Sequence, residues 1–172
     1  MEGYDLSKTL IKIAQDEHPE INFQVGDAQK TPYKEEQFDI VCSDLMIHYI
    51  NKLDKLFSEI ARILRKNGTV IFSFHHPVNE VAIVKKTKNG ITYTIKPYFH
   101  NDKYKWNMLE GMELVSYHHT FDNISISLQK AGFVIERIVE PRPTKSSYKH
   151  KPSAYNRTSQ HPSFCIIKAR KK

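Results

Sequence analysis

Four places in this sequence put polar or ionisable side chains where a short apolar run ends. Asp5 follows "EGY". Gly26, Asp27 and Ala28 follow "INFQV". Ser43, Asp44 and His48 follow "FDIVC". His75, His76 and Pro77 follow "TVIFSF". If these runs are strands of an open parallel sheet, a ligand binds at just such strand ends. Asp5 can accept both ribose hydroxyls of a nucleotide-like cofactor, or it can cap the helix that follows; both readings stand. The Asp27 carboxylate can accept an adenine amino hydrogen while the Ala28 N–H faces a ring nitrogen; the plainer reading is a Gly-Asp turn. Ser43 and Asp44 would line a cofactor floor or face a substrate. His48 can serve as a general base, or as a structural histidine at a helix start. Paired His75 and His76 invite a metal, but neighbours in an extended segment point to opposite sides. Pocket lining, with no metal site, is therefore the expectation, and the same objection meets His118 and His119.

These side chains need elements to hold them. "SKTLIKIAQDE" (7–17) carries Leu10, Ile11, Ile13 and Ala14 at helical spacing, with Ser7 as the N-cap. Residues 21–25 alternate and read as a strand, and 38–43 as a buried one. "KLDKLFSEIARILRK" (52–66) is the clearest helix, closed by Asn67-Gly68 as a C-cap. "TVIFSF" (69–74) is the next buried strand. Strand and helix alternate this far, which implies a parallel sheet with covering helices. Residues 81–99 then read as a β-hairpin around Lys88-Asn89-Gly90. Residues 100–120 read as irregular. The aromatic stretch 98–118, with Tyr98, Trp106 and His118, suits a lid over an organic substrate; it suits a hydrophobic plug equally well. A helix over 120–133 precedes strands at 133–140 and 163–171, joined by a loop of about 22 residues. With no helix predicted between them, the last strand should enter the sheet antiparallel.

Composition narrows the class. The chain has 172 residues, 40% of them hydrophobic, and fits one domain, 1–172, with 81–120 inserted as hairpin and lid. No apolar run approaches the roughly 20 residues of a membrane helix, and no signal pattern opens the chain, so the cytoplasm is the default location. Cys42 and Cys165 each lie in an apolar run and read as buried free thiols. The net charge is +7, and from Pro141 to Lys172 there are nine Lys or Arg and no Asp or Glu. Such a segment can track phosphates or meet an anionic small substrate, though a solvated tail and a final strand ending in lysines explain it as well. Lys85, Lys86, Lys88 and Lys96 read as the solvated face of the hairpin.

Taken together, "GYDLS", "INFQVGDAQKTPYKEEQFDIVCSDLMIHYI", "LDKLFSEIARILRKNGTVIFSFHHP" and "YHHTFDNISISLQKAGFVIERIVEPRP" resemble a class I S-adenosylmethionine-dependent methyltransferase of the small-molecule, ubiquinone/menaquinone-biosynthesis-like type. The order and spacing of these weak motifs carry the resemblance over nearly the whole chain. It implies a Rossmann-like α/β sheet, mostly parallel, with a reversed C-terminal strand. It implies S-adenosyl-L-methionine as cofactor, held by Asp5 at the ribose, Leu6 beside the adenine, Asp27 and Ala28 at the adenine edge, and Ser43 near the methionine end. The acceptor would be a small organic molecule met by His48, His75, Tyr98, Trp106 and His118. The family's first strand and Gly-rich loop would precede Gly3, and the sequence holds neither. The expectation is an N-terminally incomplete domain whose exposed sheet edges invite self-association. Three functional readings follow: an enzyme lacking part of its site, a non-catalytic binding module derived from one, and an RNA-binding methyltransferase. Nucleic acid is the least expected partner, since no aromatic–basic RNA-binding motif is present.

Overall fold

The computed structural model describes the backbone of residues 1–88, 90–100, 103–109 and 112–172, and the side chains of these except 86, 106–109, 112 and 113. The turn residue Asn89 and the Trp106 side chain therefore lie outside the described residues. In chain order the elements are β1 (Glu2–Asp5), α1 (Lys8–Glu17), β2 (Asn22–Val25), β3 (Phe38–Ser43), a 3-10 turn (Ile47–Tyr49), α2 (Leu53–Ile63), β4 (Leu64–His75), α3 (Pro77–Glu80), the hairpin β5 (Ala82–Thr87) and β6 (Gly90–Ile95), β7 (Lys103–Leu109), β8 (Met112–Tyr117), α4 (Phe121–Lys130), β9 (Phe133–Val139), α5 (Lys145–His150), α6 (Pro152–Thr158) and β10 (Phe164–Lys171).

Two blocks of sheet form the α/β frame. In the first, β1 and β2 run parallel, with Glu2 opposite Asn22 and Asp5 opposite Val25. Helix α1 makes the crossover and buries Ile11. Ser7 caps it, its Oγ accepting the Leu10 N–H at 3.3 Å, which satisfies one of the donors a helix start leaves open. In the second block the order is β3-β4-β10-β9. β3 runs parallel to β4, and β10 lies antiparallel to both β4 and β9. The reversed last strand is thus where the sequence pattern puts it.

One face of the second block carries the core. Leu56, Phe57 and Ile60 of α2 share a cluster with Val70, Phe72 and Phe74 of β4, with Ile124 and Leu128 of α4, and with Cys165, Ile167 and Ala169 of β10. The Phe57 and Phe72 rings meet at 5.3 Å. Each such side chain contributes about 1.5–3 kcal/mol on leaving water, so this cluster fixes α2 and α4 on the sheet. Helix α4 starts at a capping box, Thr120 and Asn123 each bonding the other's backbone N–H.

Several elements depart from expectation. Helix α2 ends at Ile63, not at residue 66, and the chain enters β4 directly. Asn67-Gly68 is no helix cap. Pairing runs from Phe38↔Leu64 to Ile40↔Thr69, so extra residues bulge from β4 here. Asn67 has φ +63°. A Cβ on Gly68 would lie 2.8 Å from the Arg65 carbonyl and 3.2 Å from that of Asp39, so glycine lets the bulge close. Within the stretch expected to be irregular, Lys103–Leu109 and Met112–Tyr117 are strands: β7 and β8 pair antiparallel, with Lys103 opposite Tyr117. The alternation of Lys and aromatic residues in "KYKW" is strand periodicity that the density of large side chains obscured. The long loop before β10 holds α5 and α6, and neither buries a residue.

β3 is the largest correction. It was expected to be buried, yet Asp39, Ile40 and Cys42 are exposed. The reason is topological: β3 pairs only with β4, and β1 only with β2, so each leaves one edge unpaired among the described residues. Cys42 is accordingly an exposed thiol, while Cys165 is buried as expected. No described helix is long and apolar enough to cross a membrane.

Candidate functional site

The gap between the open edges of β1 and β3 is a cleft of about 400 Å³. The carboxyl ends of three strands open onto it. β1 delivers Asp5 and Leu6, β2 delivers Gly26, Asp27 and Ala28, and β3 delivers Ser43 and Asp44. All five residues expected to hold a cofactor thus share one cavity. Tyr4, Tyr33 and Phe38 form an aromatic chain along it, with ring centroids 5.6 and 4.9 Å apart in turn. The Tyr33 hydroxyl is buried and has no hydrogen-bond partner among the described residues. Met46, Tyr49 and Ile50 close the side nearest β4.

The charge of this lining is decisive for ligand class. Glu2, Asp5, Asp27 and Asp44 face the cleft, and no described Lys, Arg or His does. A chain of net charge +7 has therefore made an acidic hollow. That repels phosphates and suits a ligand that donates hydrogen bonds and carries positive charge.

The local cap and turn contacts of both aspartates are present. Asp5 Oδ1 accepts the Ser7 N–H at 2.7 Å, as a local cap does. Asp27 Oδ1 accepts the Gln29 N–H at 2.9 Å, the Asx-turn reading. A carboxylate has two oxygens and about four acceptor sites, so each turn fixes its carboxylate without exhausting it. The loop after β2 is further pinned from α2. Glu59 Oε1 accepts from the Thr31 N–H at 2.8 Å and the Thr31 hydroxyl at 2.6 Å, and Arg62 holds both Glu59 oxygens. The bonds from Arg62, joined by those from Thr31 and opposed by burial, hold the Glu59 carboxyl down at about 2. At the end of β3, Ser73 donates to Asp44 and the Leu45 N–H bonds the Ser73 carbonyl at 3.1 Å, tying that loop to β4.

Of the residues expected to meet a substrate, His48, His75, Tyr98 and His118 gather elsewhere, behind Tyr49. His48 is buried, stacks on His75 with centroids 4.2 Å apart, and leans on the Tyr49 ring at 4.2 Å. Burial, then His75 and His119 nearby, push His48 down to about 4, so it is a neutral imidazole near pH 7. Its Nδ1 is buried without a partner among the described residues. His118 is held by acceptors at both nitrogens: Glu80 Oε2 at 2.9 Å and the Tyr98 carbonyl at 2.9 Å. The carbonyl requires an N–H at Nε2, so His118 and Glu80 share one further proton between them. Burial raises Glu80 despite His118, Tyr104 and the His119 N–H around it. Tyr98 packs edge-on against His118 at 5.3 Å. His118 and His119 also border a second cavity of about 330 Å³ beside Asn51, Lys52 and Asn123. His76 is structural: its Nδ1 accepts the Val78 N–H at 3.3 Å, which leaves Nε2–H to donate to Glu140 at 3.0 Å.

His75 and His76 do point to opposite sides, as expected. Glu80, by contrast, was missed. It lies on α3, five residues beyond His75, its side chain only 4% exposed. An acid set among "HHPVNEVAIV" was the available signal, since a carboxylate in apolar surroundings is almost never buried unless paired. Tyr33 was missed too, as one aromatic residue in a polar loop.

Comparison with known proteins agrees with this geometry. Residues 1–72 match the family described as "Methyltransferase domain". A solved S-adenosylmethionine-dependent methyltransferase from Mesorhizobium loti superposes with TM-score 0.86 at 26% identity, covering 99% of this chain and 80% of that one. A protein of Haemophilus influenzae of uncharacterised role is 31% identical over 143 residues, 80% of this chain and 55% of its own length. A phthiotriol/phenolphthiotriol dimycocerosates methyltransferase of Mycobacterium ulcerans is 33% identical over 82 residues, 46% of this chain and 30% of its own. The chain thus spans about half or less of the length of these two curated relatives.

Proposed function

This chain belongs to the class I S-adenosylmethionine-dependent methyltransferases, and we propose that it binds that cofactor in the acidic cleft and takes part in methyl transfer to a small organic acceptor. The observation that carries the reading is the lining of the cleft: four carboxylates and no base among the described residues, three of the carboxylates (Asp5, Asp27 and Asp44) at the carboxyl ends of strands. S-adenosylmethionine fits such a lining. Its ribose hydroxyls and adenine amino group donate hydrogen bonds, and its sulfonium is cationic. Asp5 would hold the ribose, Asp27 and the Ala28 N–H the adenine edge, Leu6 and the aromatic chain its faces. Ser43 and Asp44 would stand toward the methionine end. When bound, the cofactor supplies an electrophilic methyl group. The protein's own contribution is to orient donor against acceptor and to exclude water. The small-molecule acceptor is supported by the Mycobacterium ulcerans relative, named for a dimycocerosate substrate.

Calorimetry of the 172-residue chain with S-adenosylmethionine and its demethylated product tests this. One saturable site is expected. Heats no greater than dilution for both compounds would defeat the reading.

A second reading rests on the open edges of β1 and β3. Both flank the cleft, and beside them Leu6 is 75% and Ile40 60% exposed. Unpaired strand edges with apolar neighbours template pairing with another chain, and we propose that a second copy of this chain associates there.

A further inference from the structure

We propose that His48, His75 and Glu80 form a site for a divalent first-row transition-metal ion, with zinc the ion best suited to the donor set. One ring nitrogen of each histidine and one Glu80 carboxylate oxygen all lie within 4.8 Å of one another. This places three ligands from three elements at one point: the 3-10 turn, the end of β4, and α3.

Two nitrogens and a carboxylate oxygen are a recognised donor set for Zn²⁺ and for Fe²⁺, leaving further positions open. Zinc ligands stand about 2.0–2.2 Å from the ion, so donors around it are about 3.4 Å apart. The present spacing needs a small contraction. Rotation of the two imidazole rings out of their stack, now tilted by only 17°, would make their lone pairs converge. Loading therefore unstacks His48 from His75.

Independent observations favour an ion over a packed cluster. His48 is 2% exposed, yet its Nδ1 is buried without a partner. A buried ring nitrogen left without a partner is unfavourable, and a metal ligated there removes that cost. Glu80 is also pre-oriented as ligating carboxylates are. His118 at 2.9 Å, Tyr104 and the His119 N–H hold it in place, and such outer partners position metal ligands. The objection from adjacent histidines does not apply, because His75 joins His48 from another element while His76 turns away to Glu140. Tyr49 touches His48 and lines the acidic cleft, so an ion here would sit one ring behind the cleft wall. The proposal holds whether or not the cleft binds S-adenosylmethionine.

The test uses the full chain after exhaustive dialysis against a chelator. Zn²⁺ is titrated by calorimetry, and Co²⁺ is followed by its visible ligand-field absorption. One equivalent should bind saturably, and Co²⁺ should show bands of nitrogen–oxygen coordination. His48→Ala and His75→Ala should each weaken binding by roughly tenfold or more, whereas His18→Ala and His150→Ala should leave it unchanged. His48 is fully buried, so its variant is read only if its circular dichroism matches the parent. His75 is half-buried and carries the test alone if His48→Ala does not fold. The proposal is overturned by three results: no saturable binding to the parent chain, parent-like affinity in His75→Ala, or loss of binding in the two surface variants.

Discussion

Asp5 shows how one side chain serves two structural purposes at once. Its Oδ1 is fixed by the Ser7 N–H at the start of α1, and the residue lines the cleft. The cap is therefore the device that aims the carboxylate. This separates two substitutions that look alike on paper. Asp5→Asn keeps a carbonyl oxygen for the Ser7 N–H but removes the charge. It should leave thermal stability nearly unchanged and weaken S-adenosylmethionine binding about tenfold, the cost of roughly one charge-assisted hydrogen bond. Ser7→Ala should do the reverse, lowering stability by about 1 kcal/mol with affinity retained. Calorimetry and urea unfolding on both variants check the crossover. At this scale the sequence was half legible. That Asp5, Asp27 and Ser43 would share a cleft lining could be read, because polar residues at strand ends have few reasons to be there. Glu80 and Tyr33 could not, because their significance is burial, and burial is a property of the packed chain.

Among the elements, α2 does the most to shape the cleft. Its inner face joins the core through Leu56, Phe57 and Ile60, and Glu59 reaches out to Thr31, clamped by Arg62. Thr31 is also a cleft residue, so a helix anchored in the core carries the loop that bears Asp27. The Glu59 side chain is 11% exposed, so Glu59→Gln leaves a nearly buried donor short of its acceptor and should cost about 1–3 kcal/mol at pH 7. The pH dependence has a definite sign. The folded carboxyl titrates at about 2, below the ordinary 4.5. Its contribution is therefore complete above about pH 4.5 and is lost as pH falls toward 2. Urea midpoints measured between pH 5 and 2.5 should fall less steeply in Glu59→Gln than in the parent; parallel curves would show that the clamp stabilises nothing. The elements themselves were largely readable, because period-3.6 and period-2 patterns in α2, α4 and β10 agree with their burial, whereas in α1 Leu10 and Ile13 of the expected apolar face are exposed. What escaped was the bulge at Asn67-Gly68 and the pair β7–β8. In the first, a turn signal has two structural uses. In the second, aromatic residues on alternate positions resemble an unstructured aromatic run.

At the scale of the whole molecule, the two sheet blocks face each other across unpaired edges. The core lies on one side, in the block of β4, β10 and β9, so the β1–β2 block and the outer edge of β3 rest on far fewer buried contacts. Ile40 stands out from β3 at 60% exposure and Leu6 beyond β1 at 75%, on the two walls of one cleft. An edge of this kind is ordinarily blunted by charge or a bulge. Here the bulge lies in β4, on the far side of β3, and β3 presents Asp39 as its exposed charge beside Ile40 and Cys42. The net charge of +7 opposes close approach of two copies, so association should strengthen as salt screens it. Light scattering on the eluting chain should give a mass above 20.1 kDa that rises with concentration and with salt. Leu6→Lys with Ile40→Lys should return it to the monomer while the helical circular dichroism persists. A mass that stays at the monomer value at every concentration and salt would mean that the edges are protected without a partner. Since the same edges wall the cleft, dilution of the parent chain also links the two proposals: if a second copy completes the ligand site, S-adenosylmethionine affinity should fall in proportion to the monomer released.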